Sequence, residues 1–300
     1  MGAALPVARS DVTPALVSRL LAEQLPKLAG FPVRPVPVPG WDNLTYRLGD
    51  DLIVRLPSAD AYVPQVQKEQ TWLPVLAAHL SVAIPQPVAV GRPSPLFPRP
   101  WSVLRWLGGD MLTPAAVPGP VVDGVGAFLR ELHLIDAAGG PAPGAHNFHR
   151  GAPLDVYDRQ TRAAIVQLGD LIDGRAALAT WEEAVATRWQ RPPVWLHGDV
   201  AASNLLITDG QLSGVIDFGC CAVGDPACDL AIGWTSLSHT QREYLGSMLD
   251  VDEATWMRGR GWALWKALIT AVDIKRGDED PAPRYGWHGS TDDVLARILT

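Results

Sequence analysis

Leucines recur at the spacing of one helix face between Leu16 and Leu28. Thr13 and Pro14 stand just before them, and this pair is suited to an N-cap followed by the first helical position. The pattern therefore predicts an N-terminal helix that extends to Gly30.

Beyond this helix, apolar and polar residues alternate as they do in strands. The proline-rich segment 33–39 is acceptable only at the edge of a sheet, because proline cannot donate a hydrogen bond to a neighbouring strand. Segments 44–48 and 52–56 flank a turn at 49–51 and are predicted to form a β-hairpin. The other elements predicted in this part of the chain are a helix over 62–80 and strands over 88–90 and 101–106.

The rest of the chain is mainly helical, with one compact β segment. Residues 194–218 form that segment, and a hairpin turn is predicted over 208–211. Residues 107–110 interrupt the pattern, which indicates an α+β protein with a small mixed α/β lobe, 1–107, and a larger helical lobe, 108–300. The helices of the second lobe are predicted over 121–136, 154–171, 175–190, 226–237, 241–249 and 253–276.

Composition narrows the class of protein. The chain of 300 residues is 47% hydrophobic and 19% charged, which excludes a disordered or collagen-like chain. Because its net charge is −7 and no basic stripe is present, we expect neither nucleic acid nor membrane as a partner. Cys220, Cys221 and Cys228 fit neither a disulfide framework nor a zinc site. With no secretory signal pattern and no long apolar run, we expect a cytoplasmic protein.

Polar residues stand at the strand ends of the β segment. Asp199 follows one apolar run, Asp217 follows another, and Asn204 lies between them. Their oxygen atoms suit Mg²⁺, and a carboxylate can also accept a proton. Loops at the ends of strands often carry catalytic residues. The alternative interpretation is that both aspartates only cap turns.

The order His197-Gly198-Asp199, Asn204 and Asp217-Phe218-Gly219 resembles that of protein kinases, in which the series is His-Arg-Asp, Asn and Asp-Phe-Gly. With residues 224–231 downstream, the motifs resemble the aminoglycoside phosphotransferase (antibiotic kinase) family, a branch of the protein-kinase-like fold. The resemblance implies a bilobal kinase-like fold. It also implies that Asp199 accepts the proton of the acceptor hydroxyl and that Asn204 and Asp217 hold Mg²⁺.

The same resemblance assigns supporting roles to three further residues. His197 is expected to brace the loop, and Asp229 is expected to tie it down. Asp225 is either structural or directed at the substrate. Cys220 and Cys221 are interpreted as small core residues.

The resemblance extends into the N-terminal lobe. Arg55 takes the strand position of the kinase lysine that contacts nucleotide phosphates, and Glu69 on the next helix is its expected partner. The alternative is a surface ion pair. Asn43 lies in a turn that replaces a glycine-rich loop, and it is either a phosphate contact or an ordinary turn residue. By the same resemblance, the Arg105 carbonyl and the Leu107 N–H would bind the base of ATP or GTP.

The function that the resemblance implies is transfer of the γ-phosphoryl group of ATP or GTP to a hydroxyl of an aminoglycoside-type antibiotic, which would confer resistance. The acidic chain is compatible with a cationic substrate. Alternatives are a kinase of a macrolide, choline, a sugar or an amino alcohol, and a catalytically silent kinase-like binding protein. Macrolide kinases of the family usually carry His at the position of Asn204.

Two C-terminal features leave alternatives open. Trp262 and Trp265 are either core residues or part of a substrate groove. The acidic residues within 273–280 either form a solvated loop or receive the ammonium groups of a substrate.

Overall fold

The computed structural model describes residues 9–36, 40–112 and 117–300. The chain divides into two compact units. The first comprises Met1–Ala78 and Ala83–Leu107, and the second comprises His79–Val82 and Gly108–Thr300. Along the described ranges, no helix is both long enough and apolar enough to cross a membrane.

The first unit is built on one antiparallel sheet. Its elements are α1 (Pro14–Gln24), β1 (Val33–Pro35), β2 (Asn43–Leu48), β3 (Leu52–Pro57), α2 (Val63–Ala77), β4 (Pro87–Gly91) and β5 (Trp101–Arg105). The strand order is β1-β2-β3-β5-β4, so the predicted hairpin of β2 and β3 is present and β3 is central. The proline-containing β1 lies at the edge as predicted, and residues 37–39 of the predicted strand lie outside the described residues.

Helix α1 is shorter than the sequence pattern indicates. Thr13 caps it, as predicted, and accepts a hydrogen bond from the Leu16 N–H. The helix ends at Gln24 rather than at Gly30, and the chain continues into a short 3₁₀ turn that begins at Pro26. The proline explains this end, because the residue before a proline is disfavoured in the helical conformation.

Strand β3 is buried on both faces, which places a charge inside the first unit. Val54 and Leu56 join the apolar core together with Leu20 and Leu21 of α1. Arg55 lies between them in sequence, and because side chains alternate along a strand it points to the opposite face. Its side chain is buried as well.

The second unit combines helices with two small antiparallel sheets. Its helices are α3 (Gly119–Leu134), α4 (Asp158–Leu168), α5 (Gly174–Val185), α6 (Ile232–Thr235), α7 (His239–Met248), α8 (Glu253–Lys275), α9 (Ala282–Tyr285) and α10 (Thr291–Leu299). Its strands are β6 (Asp110–Met111), β7 (Val194–Leu196), β8 (Leu205–Thr208), β9 (Gln211–Val215) and β10 (Ala222–Gly224). In the described residues, one sheet has the order β6-β8-β9 and the other pairs β10 with β7.

Some elements of the second unit differ from the sequence pattern. The predicted hairpin of β8 and β9 is present, with Thr208 opposite Gln211. Strands β6 and β10 and helix α9 contain two, three and four residues, and such short segments show no period in a sequence. Helix α10 begins with a capping box of Ser290 and Asp293, a signal that the sequence does contain.

Gly91 of β4 leaves room for the buried Trp101 ring on β5, since a Cβ atom at residue 91 would lie 1.8 Å from that ring. We expect Gly91→Ala to lower the free energy of unfolding by about 1–3 kcal/mol, because the indole has to move. Gly30→Ala is the matched control, since a Cβ there meets nothing within 4 Å. Urea unfolding followed by tryptophan fluorescence measures both variants, and equal midpoints would contradict the prediction.

Candidate active site

One buried carboxylate fixes the loop that follows β7, here called the 197–204 loop. Asp229 is fully buried and accepts the His197 N–H on Oδ2 and the Gly198 N–H on Oδ1, each at 2.7 Å. Burial raises the pKa of Asp229 to about 6, although His197 and the two hydrogen bonds oppose this shift. The contact that was expected to tie down the loop is therefore present.

His197 joins the 197–204 loop to the end of the hairpin. Its buried ring accepts the Asp199 N–H on Nδ1 at 3.2 Å and lies with Nε2 3.0 Å from the Ile216 carbonyl oxygen. Because Nδ1 accepts, the proton is assigned to Nε2, which donates to Ile216. The ring also meets Phe218 edge-on, with centroids 4.5 Å apart. These contacts make His197 a brace of the loop.

Only glycine fits between His197 and Asp199. The φ angle of Gly198 is +86°, a left-handed conformation that other residues rarely adopt. A Cβ atom there would lie 2.4 Å from the Cys220 carbonyl oxygen. The arginine of the His-Arg-Asp motif therefore has no room at residue 198.

Asp199 presents an exposed side chain on a fixed backbone. The Asn204 Nδ2 donates to the Asp199 carbonyl oxygen at 2.9 Å and lies 3.4 Å from its Oδ2. Asn204 itself is buried. An exposed carboxylate that is held in this way is available to a hydroxyl group from solvent.

Asp217 lies at the same end of the β8–β9 hairpin as Asn204. Leu205 pairs with Val215, and the Ile216 N–H donates to the Asn204 carbonyl oxygen at 2.9 Å, so the pairing continues to Asn204 and to the residue before Asp217. Asp217 has φ +68° and ψ +62°, which is uncommon for a residue other than glycine. Such backbone strain persists where the surrounding structure enforces it, and it clusters at functional sites.

The oxygen atoms of Asn204 and Asp217 are of the type that Mg²⁺ prefers. No group of three or more His, Cys, Asp or Glu side chains that could hold a metal occurs within the described ranges. Two protein ligands match a Mg²⁺ ion that completes its coordination with phosphate oxygens and water. The donor set therefore fits Mg²⁺ and does not fit a closed protein cage.

Asp225 pairs with a buried arginine that the sequence motifs do not indicate. The Arg258 Nε donates to Asp225 Oδ2 at 2.7 Å, and both side chains are at most 6% exposed. Arg258 also donates to Thr187 and Thr255. Asp225 is thus structural and does not face a substrate. A single arginine within a helix carries no local signal, so sequence reasoning could not find this pair.

In the first unit, Arg55 and Glu69 form a buried ion pair. The Arg55 Nη1 lies 2.8 Å from Glu69 Oε1, with side chains 10% and 5% exposed. A surface ion pair, the alternative interpretation, is therefore excluded. Removing one partner of a buried pair leaves the other charge uncompensated, at a cost of about 3–5 kcal/mol.

The other residues predicted to contact nucleotide also lie in the first unit. Asn43 is buried as the first residue of β2, opposite Pro57 of β3. Arg105 is the last residue of β5, and its N–H donates to the Gln86 carbonyl oxygen at 2.8 Å. Within the described residues, the Leu107 N–H donates to no other group.

The C-terminal features are mainly structural. Trp262 and Trp265 are 2% and 5% exposed, so they belong to the core and do not line a groove. In the acidic stretch, Asp280 accepts hydrogen bonds from Ala282 and Thr291 and thereby positions the start of α10. Cys220 and Cys221 were both expected to be core residues. Cys221 is buried, as expected, but Cys220 is only half-buried; Cys228 is buried.

Comparison with known sequences identifies a phosphotransferase family. The sequence profile described as the phosphotransferase enzyme family (APH) matches residues 33–263. An aminoglycoside 3'-phosphotransferase of Escherichia coli is 30% identical over 198 residues, which cover 63% of this chain and 69% of the relative.

Solved structures share the fold. The GDP and kanamycin complex of APH(2")-IIIa has a TM-score of 0.72 and 19% identity, and covers 94% of this chain and 97% of its own. The macrolide 2'-phosphotransferase MphH from Brachybacterium faecium has a TM-score of 0.60 and 19% identity, with 91% and 96% covered. These similarities confirm the kinase-like α+β fold that the motifs predict.

The raised pKa of Asp229 predicts how the free energy of unfolding changes with pH. The folded protein keeps a proton on Asp229 up to about pH 6, whereas the ordinary pKa is 3.8. This stabilisation is complete below the unfolded pKa and is lost as pH rises through the folded pKa. Relative to Asp229→Asn, the wild type should lose on the order of 2 kcal/mol between about pH 4 and pH 7.

Denaturant unfolding of the wild type and Asp229→Asn across this range measures the difference. Asp209→Asn, an exposed substitution in the hairpin turn, is the control and should follow the wild type. If the wild type and Asp229→Asn show the same pH dependence, the buried carboxyl does not titrate as stated.

Proposed function

This chain belongs to the phosphotransferase enzyme family, and from its site residues we propose that it moves the γ-phosphoryl group of ATP or GTP to a hydroxyl of an aminoglycoside-type antibiotic. The similarity to the Escherichia coli aminoglycoside 3'-phosphotransferase supports this acceptor class. The GDP and kanamycin bound to a protein of the same fold support a nucleotide donor and an aminoglycoside acceptor. The proposed biological role is resistance.

The observation that carries the proposal is the linkage of Asp199, Asn204 and Asp217. The Asn204 side chain holds the Asp199 carbonyl, and the Asn204 carbonyl accepts the N–H of Ile216, the residue before Asp217. One buried amide residue thus connects an exposed carboxylate to a second carboxylate. A pair of turn caps would not need this connection.

In the proposed reaction, Asp199 acts as the base. Its carboxylate takes the proton of the acceptor hydroxyl while the hydroxyl oxygen forms a bond to the γ-phosphorus. The bond from the γ-phosphorus to the bridging oxygen breaks, and nucleoside diphosphate leaves with the electron pair. Because this transfer depends mainly on positioning and charge stabilisation, the fixed backbone of Asp199 is the contribution that matters most.

We propose further contacts for the nucleotide donor. Asn204 and Asp217 would hold Mg²⁺, which when bound neutralises charge on the phosphates. Arg55, oriented by Glu69, contacts phosphate oxygens, and Asn43 is proposed as a further phosphate contact. The Arg105 carbonyl and the Leu107 N–H are proposed to bind the base. This role is supported by the Leu107 N–H, which donates to no group among the residues that the structure describes.

A macrolide is the second candidate acceptor. The similarity to the macrolide 2'-phosphotransferase MphH favours it. Asn204 stands where the macrolide kinases of the family usually carry His. We therefore rank the aminoglycoside first.

We expect the wild type to release nucleoside diphosphate only when Mg²⁺ and an aminoglycoside are present. We expect Asp199→Asn to lower the kcat of this release by about 10²–10⁴-fold, because general-base catalysis contributes that much. Coupled diphosphate release with ATP and with GTP measures this against aminoglycosides, macrolides, choline, sugars and amino alcohols. The nucleotide affinity of the variant should stay close to that of the wild type.

Asp209→Asn serves as the matched control, since it makes the same change at an exposed turn. Release with another acceptor class would assign the enzyme to that alternative. Nucleotide binding without release to any acceptor would indicate a silent binding protein, and full activity of Asp199→Asn would exclude Asp199 as the base.

Glu69→Gln tests the role of the buried ion pair. Without the carboxylate charge 2.8 Å from its Nη1, Arg55 is held less firmly, and the KM for nucleoside triphosphate should rise about tenfold, equivalent to ~1.4 kcal/mol. Steady-state kinetics with varied nucleotide measures this. Glu23→Gln, at an exposed position of α1, is the control, and an unchanged KM in Glu69→Gln would show that the pair serves stability alone.

A further inference from the structure

A charged side chain from outside the sequence motifs reaches the 197–204 loop. Arg150 lies in the segment between α3 and α4, and its Nε donates to the Gly198 carbonyl oxygen at 2.9 Å. This carbonyl and the Asp199 N–H belong to one peptide group. The same N–H donates to the ring of His197 at 3.2 Å. The peptide group that precedes the Asp199 side chain is therefore held at both of its polar atoms.

The backbone N–H and carbonyl groups of Gly198 and Asp199 each have a hydrogen-bond partner. Asp229 accepts the two N–H groups that precede that of Asp199, and Asn204 holds the Asp199 carbonyl. Arg150 completes the set through the Gly198 carbonyl. Its hydrogen bond is charge-assisted and about twice as strong as a neutral one.

Aromatic packing fixes the guanidinium group of Arg150. Its central carbon lies 5.1 Å from the Trp262 ring centroid and 4.9 Å from that of Trp265. Both indoles are buried in α8, and the Tyr157 ring stacks on Trp265 with centroids 4.0 Å apart. A guanidinium enclosed in this way has little freedom to leave the loop.

Hydrogen bonds from Asn147 fix the segment that carries Arg150. The Nδ2 of the fully buried Asn147 donates to the Arg150 carbonyl at 2.8 Å and to the Cys220 carbonyl at 3.2 Å. Phe148 and His149 have φ angles of 52° and 55°, a left-handed conformation that is uncommon for bulky residues. The two residues before Arg150 thus adopt a strained backbone conformation, next to the point where Arg150 contacts the 197–204 loop.

The charge of Arg150 is not cancelled by an ion pair. Among the described residues, no carboxylate lies within salt-bridge distance of it, in contrast to Arg55 and Arg258. Burial by itself lowers the pKa of Arg150, but Cys220 and Asp199, when ionised, raise it above its ordinary value. Arg150 instead directs its hydrogen bonds at two backbone carbonyl oxygens, those of Gly198 and Phe148.

We propose that Arg150 is a positioning residue for phosphoryl transfer, which holds the peptide group of Gly198 and Asp199 so that the Asp199 carboxylate stays aligned with the acceptor hydroxyl. This inference rests on the proposed role of Asp199 as the base. Arg150 acts through the Gly198 carbonyl and does not touch a reactant. Its loss therefore affects the chemical step more than the binding of nucleotide.

The test compares Arg150→Ala with wild type in the coupled assay, with kcat, acceptor KM, nucleotide Kd and melting temperature measured on each protein. We expect kcat to fall about 10–100-fold, because small misplacements of a reacting group cost this much, while the nucleotide Kd is unchanged. Added guanidinium at concentrations far below denaturing levels should restore part of the kcat by refilling the aromatic enclosure.

Arg162→Ala is the matched control, since it removes a half-exposed arginine of α4 that pairs with Asp158 and Glu182. It should keep wild-type kcat and show no response to guanidinium. A folded Arg150→Ala variant with wild-type kcat would overturn the proposal. A reduced kcat without guanidinium rescue would overturn it too, because that result indicates general structural damage.

Arg150→Lys carries the test if Arg150→Ala does not fold. Lysine keeps the charge but lacks the planar fork and the Nε donor, so kcat should still fall with unchanged nucleotide Kd. Wild-type kcat in this variant would overturn the proposal. An inactive wild type, or an active Asp199→Asn variant, would instead refute the proposed function, so the two failures are distinguishable.

Discussion

The carboxylate of Asp229 is the contact on which the rest of the candidate site depends. Each of its oxygens accepts one backbone N–H, from His197 and from Gly198, inside a region without solvent. An unpaired buried N–H costs about 1–3 kcal/mol, and Asp229 removes this cost for the N–H groups of both His197 and Gly198. The position of the exposed Asp199 carboxylate therefore depends on the buried Asp229 side chain.

The hairpin of β8 and β9 sets the second half of the geometry. Its pairing runs up to Asn204 and Ile216, so strand pairing fixes the chain immediately before Asp217. Gly198 and Asp217 both adopt left-handed conformations near this end of the hairpin. Short sharp turns of this kind let side chains leave the strands in directions that regular β structure does not allow.

Buried charge is used in two different ways in this protein. Arg55 pairs with Glu69 in the first unit, and Arg258 pairs with Asp225 in the second, so that each cation meets a carboxylate. Arg150 meets carbonyl oxygens and aromatic rings instead. Each ion pair joins two segments of one unit, whereas Arg150 holds the peptide group between Gly198 and Asp199.

The sequence by itself determined the parts that local chemistry encodes: the helices and strands with a clear period, the edge position of the proline-rich strand, and the motif order of Asp199, Asn204 and Asp217. Only the tertiary structure decided the partners of these residues. Asp225 proved to be structural because Arg258, far along the chain, meets it in the core. Arg150 reached the loop through folding of a segment without any motif. A sequence pattern records what a residue can bind, but long-range packing selects which distant group it does bind.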